Sequence, residues 1–179
     1  LKYGAELTAS LAGGNNTGIL TYTWYRSGET TAIATNNTGK YTLVEDDIGK
    51  TITVEITSSA QTGKINGSTT GTINKADGPA APSVTPVACT NNSNNDGKIT
   101  GVNTTMEYSA VSDFATKTTC TGSDITGLVN GTYYVRVAET TTHKAGTAAT
   151  VIVLAYTASG TGGGTSSGSS SGGGYVPTT

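Results

Sequence analysis

Charge is what this sequence has least of. Only 12% of its 179 residues are charged, and 10 Lys and Arg against 12 Asp and Glu leave a formal net charge of -2. That balance excludes the basic footprint of a nucleic-acid binder and a polybasic membrane patch. No apolar run approaches the ~20 residues that cross a bilayer as a helix, so no membrane insertion is expected. Histidine occurs once, at His143. A multi-histidine metal site is thereby excluded, and a catalytic triad could form only around that residue. His143 lies in "ETTTHKAGT", which reads as the exposed tip of a hairpin. The strong helix formers Lys, Glu and Leu are sparse. The first residues, "LKYGAELTAS", carry neither an initiator Met nor a signal peptide and read as a strand entered directly. The expectation is a processed product or a piece of a longer polypeptide.

The polar content comes instead from Thr, Ser, Asn and Gly. Thr, Val, Ile and Tyr fit the pleated surface of a sheet, and 25 Gly require frequent turns. The fold class is therefore all-β, in a secreted or cell-surface protein. The two cysteines, Cys89 and Cys120, match no zinc or redox spacing. In a secreted chain they read as one disulfide, worth ~3–4 kcal/mol by loop entropy. The alternative is two buried free thiols.

Hydrophobic alternation divides the chain. In "AELTASL", Leu7, Ala9 and Leu11 alternate with polar residues as in a half-buried strand. Leu20, Tyr22 and Trp24 share a face of "ILTYTWYRSG", and Ile52, Val54 and Ile56 point inward from "TITVEITSS". "GGNNTG" and "TNNTG" read as turns, "EDDIGK" as a solvated corner, and "INGS" as a tight Asn-Gly hairpin turn. Such strands and turns at regular spacing argue for a β-sandwich over residues 1–75. "ADGPAAPSVTP", from Ala76, holds three of the four prolines and marks a stiffened boundary. A second sandwich follows over 76–156, with strands in "SVTPVACT", "GKITGV", "MEYSAV", "TTCTGSDITGL", "GTYYVRVAET" and "AATVIVLAY". Tyr133, Val135 and Val137 share one face. Apolar residues on both faces of the last strand suggest that it is central or covered. Residues 157–179 form a Gly/Ser-rich tail that cannot fold alone.

"TNNSNNDGKITG", residues 90 to 101, has the outline of a calcium loop. Counted from Asn92, Asn94 takes the third position, Asp96 the fifth and Gly97 the sixth. Asn103 stands at the twelfth, where a bidentate Glu belongs. With one carboxylate, any calcium held by Asp96, Asn92 and Asn94 would be bound weakly, and the same residues make a turn. No metal or cofactor is expected. Six Asn-x-Ser/Thr triplets begin at Asn15, Asn36, Asn66, Asn91, Asn103 and Asn130, and in a bacterial protein they read as bare. A Lys–Asn isopeptide crosslink would need Lys50 or Lys98 buried beside partners that sequence alone does not place.

The first segment resembles a bacterial immunoglobulin-like repeat of Gram-positive surface proteins. "LTYTWYRSG" and "YTLVEDDIGKTITVEIT" carry that resemblance. It implies that Trp24 fills the core and that Asp47-Ile48-Gly49 turns the chain into a long inner strand. The second segment resembles a companion repeat of clostridial and related surface-layer-associated proteins, at "NDGKITGV", "MEYS", "ITGL" and "NGTYYVRVAET". It is similar to a fibronectin type III module at "LVNGTYY", with Asn130 where proline is usual and Tyr133 rather than Tyr134 on the core face. The tail is similar to spacers that precede cell-wall-binding modules. These resemblances imply an extracellular, non-catalytic structural module of a bacterial cell-surface protein: a stalk, spacer or building unit. Its partners would be other domains of a larger surface polypeptide or copies of itself. A self-assembling filament or lattice subunit that exchanges strands is the alternative, and an adhesin for cell-wall or host glycan or for protein is the third reading. A single His and scattered acids supply no enzyme constellation.

Overall fold

The structure is a computed structural model and describes residues 1–13 and 17–158. The turn residues 14–16 and the Gly/Ser tail from 159 onward lie outside the described residues. Short β-strands account for the regular structure, with no α-helix among the described residues.

The first half contains β1 (Glu6–Thr8), β2 (Leu20–Arg26), β3 (Ala34–Asn36), β4 (Lys40–Thr42), β5 (Ile52–Ser58) and β6 (Ile65–Ser68), with one 3-10 turn at Glu45–Asp47. Its sheets run β3-β2-β5-β6 and β1-β4, all pairs antiparallel. Period-two alternation sends Tyr22, Trp24, Ile52, Val54 and Ile56 to the buried face, where Leu43 and Ile73 join them. Leu7 and Tyr41, from the smaller sheet, pack on that cluster.

The second half contains β7 (Thr85–Val87), β8 (Gly97–Thr100), β9 (Met106–Ser109), β10 (Thr118–Thr119), β11 (Asp124–Leu128), β12 (Gly131–Val137) and β13 (Ala149–Val153). Its sheets run β10-β9-β12-β13 and β11-β8-β7. Ile99, Ile125 and Leu128 from one sheet meet Met106, Val135, Val151 and Val153 from the other in a second apolar cluster. Two antiparallel layers over a shared core are what a β-sandwich requires.

Several local expectations are corrected. Asn66-Gly67 is not a hairpin turn. It lies inside β6, with Gly67 opposite Val54 and Asn66 opposite Glu55, and the connection falls earlier, where Gly63 takes a left-handed φ of 101°. "TTCTGSDITGL" is two strands, β10 and β11, in different sheets. The last strand, β13, is an edge strand of its sheet, with Ile152 and Leu154 55% and 63% exposed. Gly97 is the buried first residue of β8. It makes room rather than a turn: a Cβ there would lie 2.3 Å from Val153 Cγ1 and 2.9 Å from the Leu128 carbonyl.

The expected disulfide is also corrected. Cys89 and Cys120 are free, buried thiols of the second core, held at opposite ends of it. The Cys89 amide donates to the Leu154 carbonyl at 3.0 Å, next to the Val153–Gly131 pair. The Cys120 amide donates to the Met106 carbonyl at 2.9 Å, and Met106 pairs with Val137. Gly131 and Val137 are the two ends of β12, which at ~3.4 Å per residue is about 20 Å long. A disulfide needs Cα atoms within ~7 Å. Burial, with a smaller contribution from Glu107, pushes the Cys120 thiol up and away from its reactive form. Protein purified without reductant should therefore release two free thiols on denaturation, and its intact mass should not change on reduction. A single reducible bond would overturn this arrangement.

Candidate functional site

The chain crosses from the first core to the second at Lys75–Pro79, and the crossing is docked. The Ala76 amide donates to the Thr142 carbonyl at 2.9 Å, and the Lys144 amide donates back to the Ala76 carbonyl at 2.9 Å. Pro79 has no amide to donate, but its carbonyl accepts from the Thr147 amide at 2.9 Å. Gly78 is where the two backbones come closest. A Cβ there would stand 2.2 Å from the Ala145 carbonyl oxygen and 2.5 Å from that of Lys144, so only glycine fits without a backbone shift.

Side chains close around these bonds. Lys75 Nζ donates to Glu139 Oε1 and to the Thr140 carbonyl, each at 2.6 Å. The Lys75 hydrogen bond and charge hold the exposed Glu139 carboxyl below its ordinary range. Lys2 pairs with Asp77; both are solvated, so this contact adds little. His143, expected at an exposed tip, is half-buried here. Its ring meets Tyr3 edge-on at 5.7 Å, and its Nδ1 lies 3.0 Å from Thr142 Oγ1. No sequence spacing marks His143 or Tyr3 for this role. The only early signal is the proline cluster that marks the boundary.

Of the residues singled out from sequence, Trp24 lies in the first core and is 3% exposed. Cys89 and Cys120 lie in the second core. Tyr133 packs against that core from a half-buried position, and its hydroxyl donates to the Val129 carbonyl at 2.9 Å. That bond ties the start of β12 to the backbone four residues upstream, and Tyr133 rather than Tyr134 makes it.

In the polar loop before β8, both Asp96 carboxylate oxygens accept from the Thr90 amide, at 3.0 and 3.2 Å, and one also accepts from the Thr90 hydroxyl. These bonds lower the Asp96 carboxyl below its ordinary value, the hydroxyl bond most. Asn94 takes a left-handed φ of 51°, and its Oδ1 accepts from the Tyr156 amide at 2.5 Å. The oxygens that would form a cation site thus serve as clasps that close the loop. Among the described residues no three His, Cys, Asp or Glu side chains group as metal ligands. Lys98 is at the surface, paired with Asp124 at 3.5 Å.

The "EDD" corner is only partly the solvated corner expected. Glu45 and Asp46 are exposed, but Asp47 is fully buried. Its Oδ1 accepts from Arg26 Nε at 2.6 Å, and its Oδ2 accepts from the Tyr41 hydroxyl at 2.9 Å and the Val44 amide at 2.7 Å. Burial alone would weaken the Arg26 charge, but the bond and charge of Asp47 outweigh it and raise Arg26 above its ordinary value. Burial, and then the Asp47 bond, push the Tyr41 hydroxyl up to about 12. Tyr41 stacks on Trp24 at 5.6 Å, so the carboxylate fixes the aromatic centre of the first core through Tyr41.

Beside Trp24 lies an open groove of about 470 Å³ between β1 and β6, with Leu7, Ala9, Val54 and Ile65 among its lining. Compared with family models and with curated proteins, the chain matches none.

Two outcomes follow from the Asp47 cluster. Asp47→Ala strands the Arg26 charge and the Tyr41 hydroxyl, and should cost ~3–5 kcal/mol in chemical denaturation. Because Tyr41 releases its proton at higher pH folded than unfolded, its contribution is intact below the ordinary value of 10.0 and is lost as pH rises through about 12. Stability should fall across that window, and Tyr41→Phe should flatten the fall. An unchanged slope in the variant would refute the assignment.

Proposed function

We propose that this chain is a non-catalytic, extracellular structural module of a bacterial cell-surface protein, acting as a stalk or spacer. In this reading it comprises two immunoglobulin-like sandwiches in tandem, over residues 1–75 and 76–156, followed by a Gly/Ser-rich spacer. The docked crossing at Ala76 is the observation that carries the reading. A spacer sets reach only if its units hold a fixed angle, and a free linker would let them swing. The default between domains is relative motion unless an interface opposes it. Here Asn74 is bonded to Leu1 and Tyr3 in the first half and Ala76 to the second, which leaves one residue between two anchored ones, and the Lys75–Glu139 and Tyr3–His143 contacts bridge the halves.

The surface chemistry suits the same role. Low charge and abundant Thr, Ser and Asn give a hydrated surface without a strong field to steer partners. The short ladders and two-layer cores put apolar contacts inside and leave polar loops outside.

The test is whether the two halves tumble together. In the parent protein, nitrogen-15 relaxation should give both halves one rotational correlation time, and small-angle scattering should give one fixed maximum dimension. Gly78→Ala forces a Cβ against the Ala145 carbonyl and should undock the crossing at a cost of ~1–3 kcal/mol. The correlation times should then separate while both cores stay folded. Independent tumbling in the parent protein would overturn the stalk reading.

A further inference from the structure

The two four-stranded sheets, β3-β2-β5-β6 and β10-β9-β12-β13, differ on the faces turned away from their cores. In the second half the segment between β9 and β10 folds over that face. Phe114 lies against the Arg136 guanidinium, Ser109 Oγ donates to the Thr116 carbonyl at 2.6 Å, and Glu107 and Ser109 are buried. In the first half the matching face is open. Thr23 and Tyr25 of β2 and Thr53 and Glu55 of β5 stay half-buried, although they stand on the two central strands.

Register sets what stands on the open face. Tyr25 is opposite Thr53 across β2 and β5. One step along the sheet, Thr23 is opposite Glu55, and Glu55 is opposite Asn66 on β6. Thr35 of β3 extends that row. Residues directly opposite stand ~4.5–5.5 Å apart and diagonal ones ~7–8 Å, so Tyr25, Glu55 and Asn66 lie within reach of one small ligand. A cavity of about 200 Å³ opens there, with Tyr25, Thr53, Glu55 and Asn66 in its lining. That is below the ~300–1,000 Å³ of drug-sized pockets and suits a single ring.

The lining also selects by charge. Lys64 Nζ donates to Glu55 Oε2 at 2.6 Å. That bond and the Glu55 charge, with a smaller contribution from Tyr25, raise the Lys64 ammonium above its ordinary value. The pair fixes the carboxylate and cancels its charge, so the cavity favours neither a cation nor an anion. With Oε2 engaged, Glu55 Oε1 is left as an acceptor, and the exposed Asn66 carboxamide offers both a donor and an acceptor. A sugar hydroxyl donates and accepts, so two neighbouring hydroxyls match this set. The Tyr25 ring supplies the remaining wall, a flat apolar surface with a negative face that attracts C–H groups.

We propose that the outer face of β2, β5 and β6 is a binding site for one ring of a neutral sugar, with Tyr25 as its platform and Glu55 and Asn66 as its hydrogen-bonding groups. The C–H face of the ring rests on Tyr25. One hydroxyl donates to Glu55 Oε1, and its neighbour bonds the Asn66 carboxamide. Lys64 holds the carboxylate in position and excludes charged ligands by neutralising it. The stalk reading needs no ligand, so this inference goes beyond it and stands whether or not that reading holds.

The test titrates the isotope-labelled full chain with the methyl glycosides of glucose, galactose, mannose and N-acetylglucosamine. Glucosamine and glucuronic acid serve as charged probes. Each is taken to about 100 mM, well above the ~1–10 mM dissociation constant of a site that holds one ring. At least one neutral sugar should shift the Glu55 and Asn66 amide signals saturably, and both charged probes should bind more weakly. Tyr25→Ala and Asn66→Ala should each weaken that sugar about fivefold, the scale of one lost contact. The single Trp reports whether the first half is folded in each variant, and Asn66, exposed on an edge strand, keeps the test decisive if Tyr25→Ala unfolds. No saturable shift from any neutral sugar overturns the site. Tighter binding of a charged probe overturns the sugar class, and binding unchanged in the folded variants overturns the location.

Discussion

The two hydrogen bonds that the Ala76 backbone makes to Thr142 and Lys144 are the constraint on which the molecule's shape depends. Each half has its own apolar cluster, and nothing in either cluster fixes the angle between them. That angle is set at Lys75, between Asn74, bonded to Leu1 and Tyr3, and Ala76, bonded to Thr142 and Lys144. Everything nearby serves this bridge. Gly78 removes the side chain that would push the strands apart, Pro79 limits the backbone, and Lys75 and His143 close over the sides. Main-chain bonds suit this task better than surface ion pairs, because they cost little side-chain entropy and are weakly screened by salt.

Each half also buries one carboxylate, and the two are satisfied in similar ways. Asp47 takes Arg26, Tyr41 and the Val44 amide. Glu107 takes Arg136 at 2.8 Å and Lys117 at 2.9 Å, and the Arg136 guanidinium lies 3.8 Å over the Phe114 ring. Burial would raise the Glu107 carboxyl, but the Lys117 and Arg136 bonds outweigh it and hold it below its ordinary value. A buried ion pair is a weak source of net stability, but breaking one is costly. In cores built of small Val and Ile side chains, such pairs fix register. Arg136 sits directly opposite Glu107 across β12 and β9, so a slip of one residue would bury both charges unpaired.

Much of the fold was legible because period-two alternation is strong in the inner strands. Ile52, Val54 and Ile56 read as one face and are one face, and Tyr22 and Trp24 oppose them. The misreadings have a common physical origin: they concern residues whose role depends on a distant neighbour. Asn66-Gly67 reads as a turn, but pairing with β5 recruits it into a strand. Gly97 after Asp96 reads as turn chemistry, but the close approach of Val153 is what requires it. Cys89 and Cys120 share a core, yet the length of β12 separates their anchors. Of the candidate site, the proline-rich boundary was visible, while His143, Tyr3 and Glu139 carry no pattern that places them beside it.

The two halves differ in the width of their smaller sheet, two strands in the first and three in the second. Even so, the inner face of the first half is covered: Trp24, Ile52, Val54 and Ile56 are each at most 7% exposed. Trp24 is the largest side chain in that core, and its Nε1 is buried without a hydrogen-bond partner among the described residues. Tyr41 stacks on Trp24 and is held by Asp47, so the indole stays in place. In the second half β7 widens the smaller sheet, and the core is closed at Gly97 and Cys89.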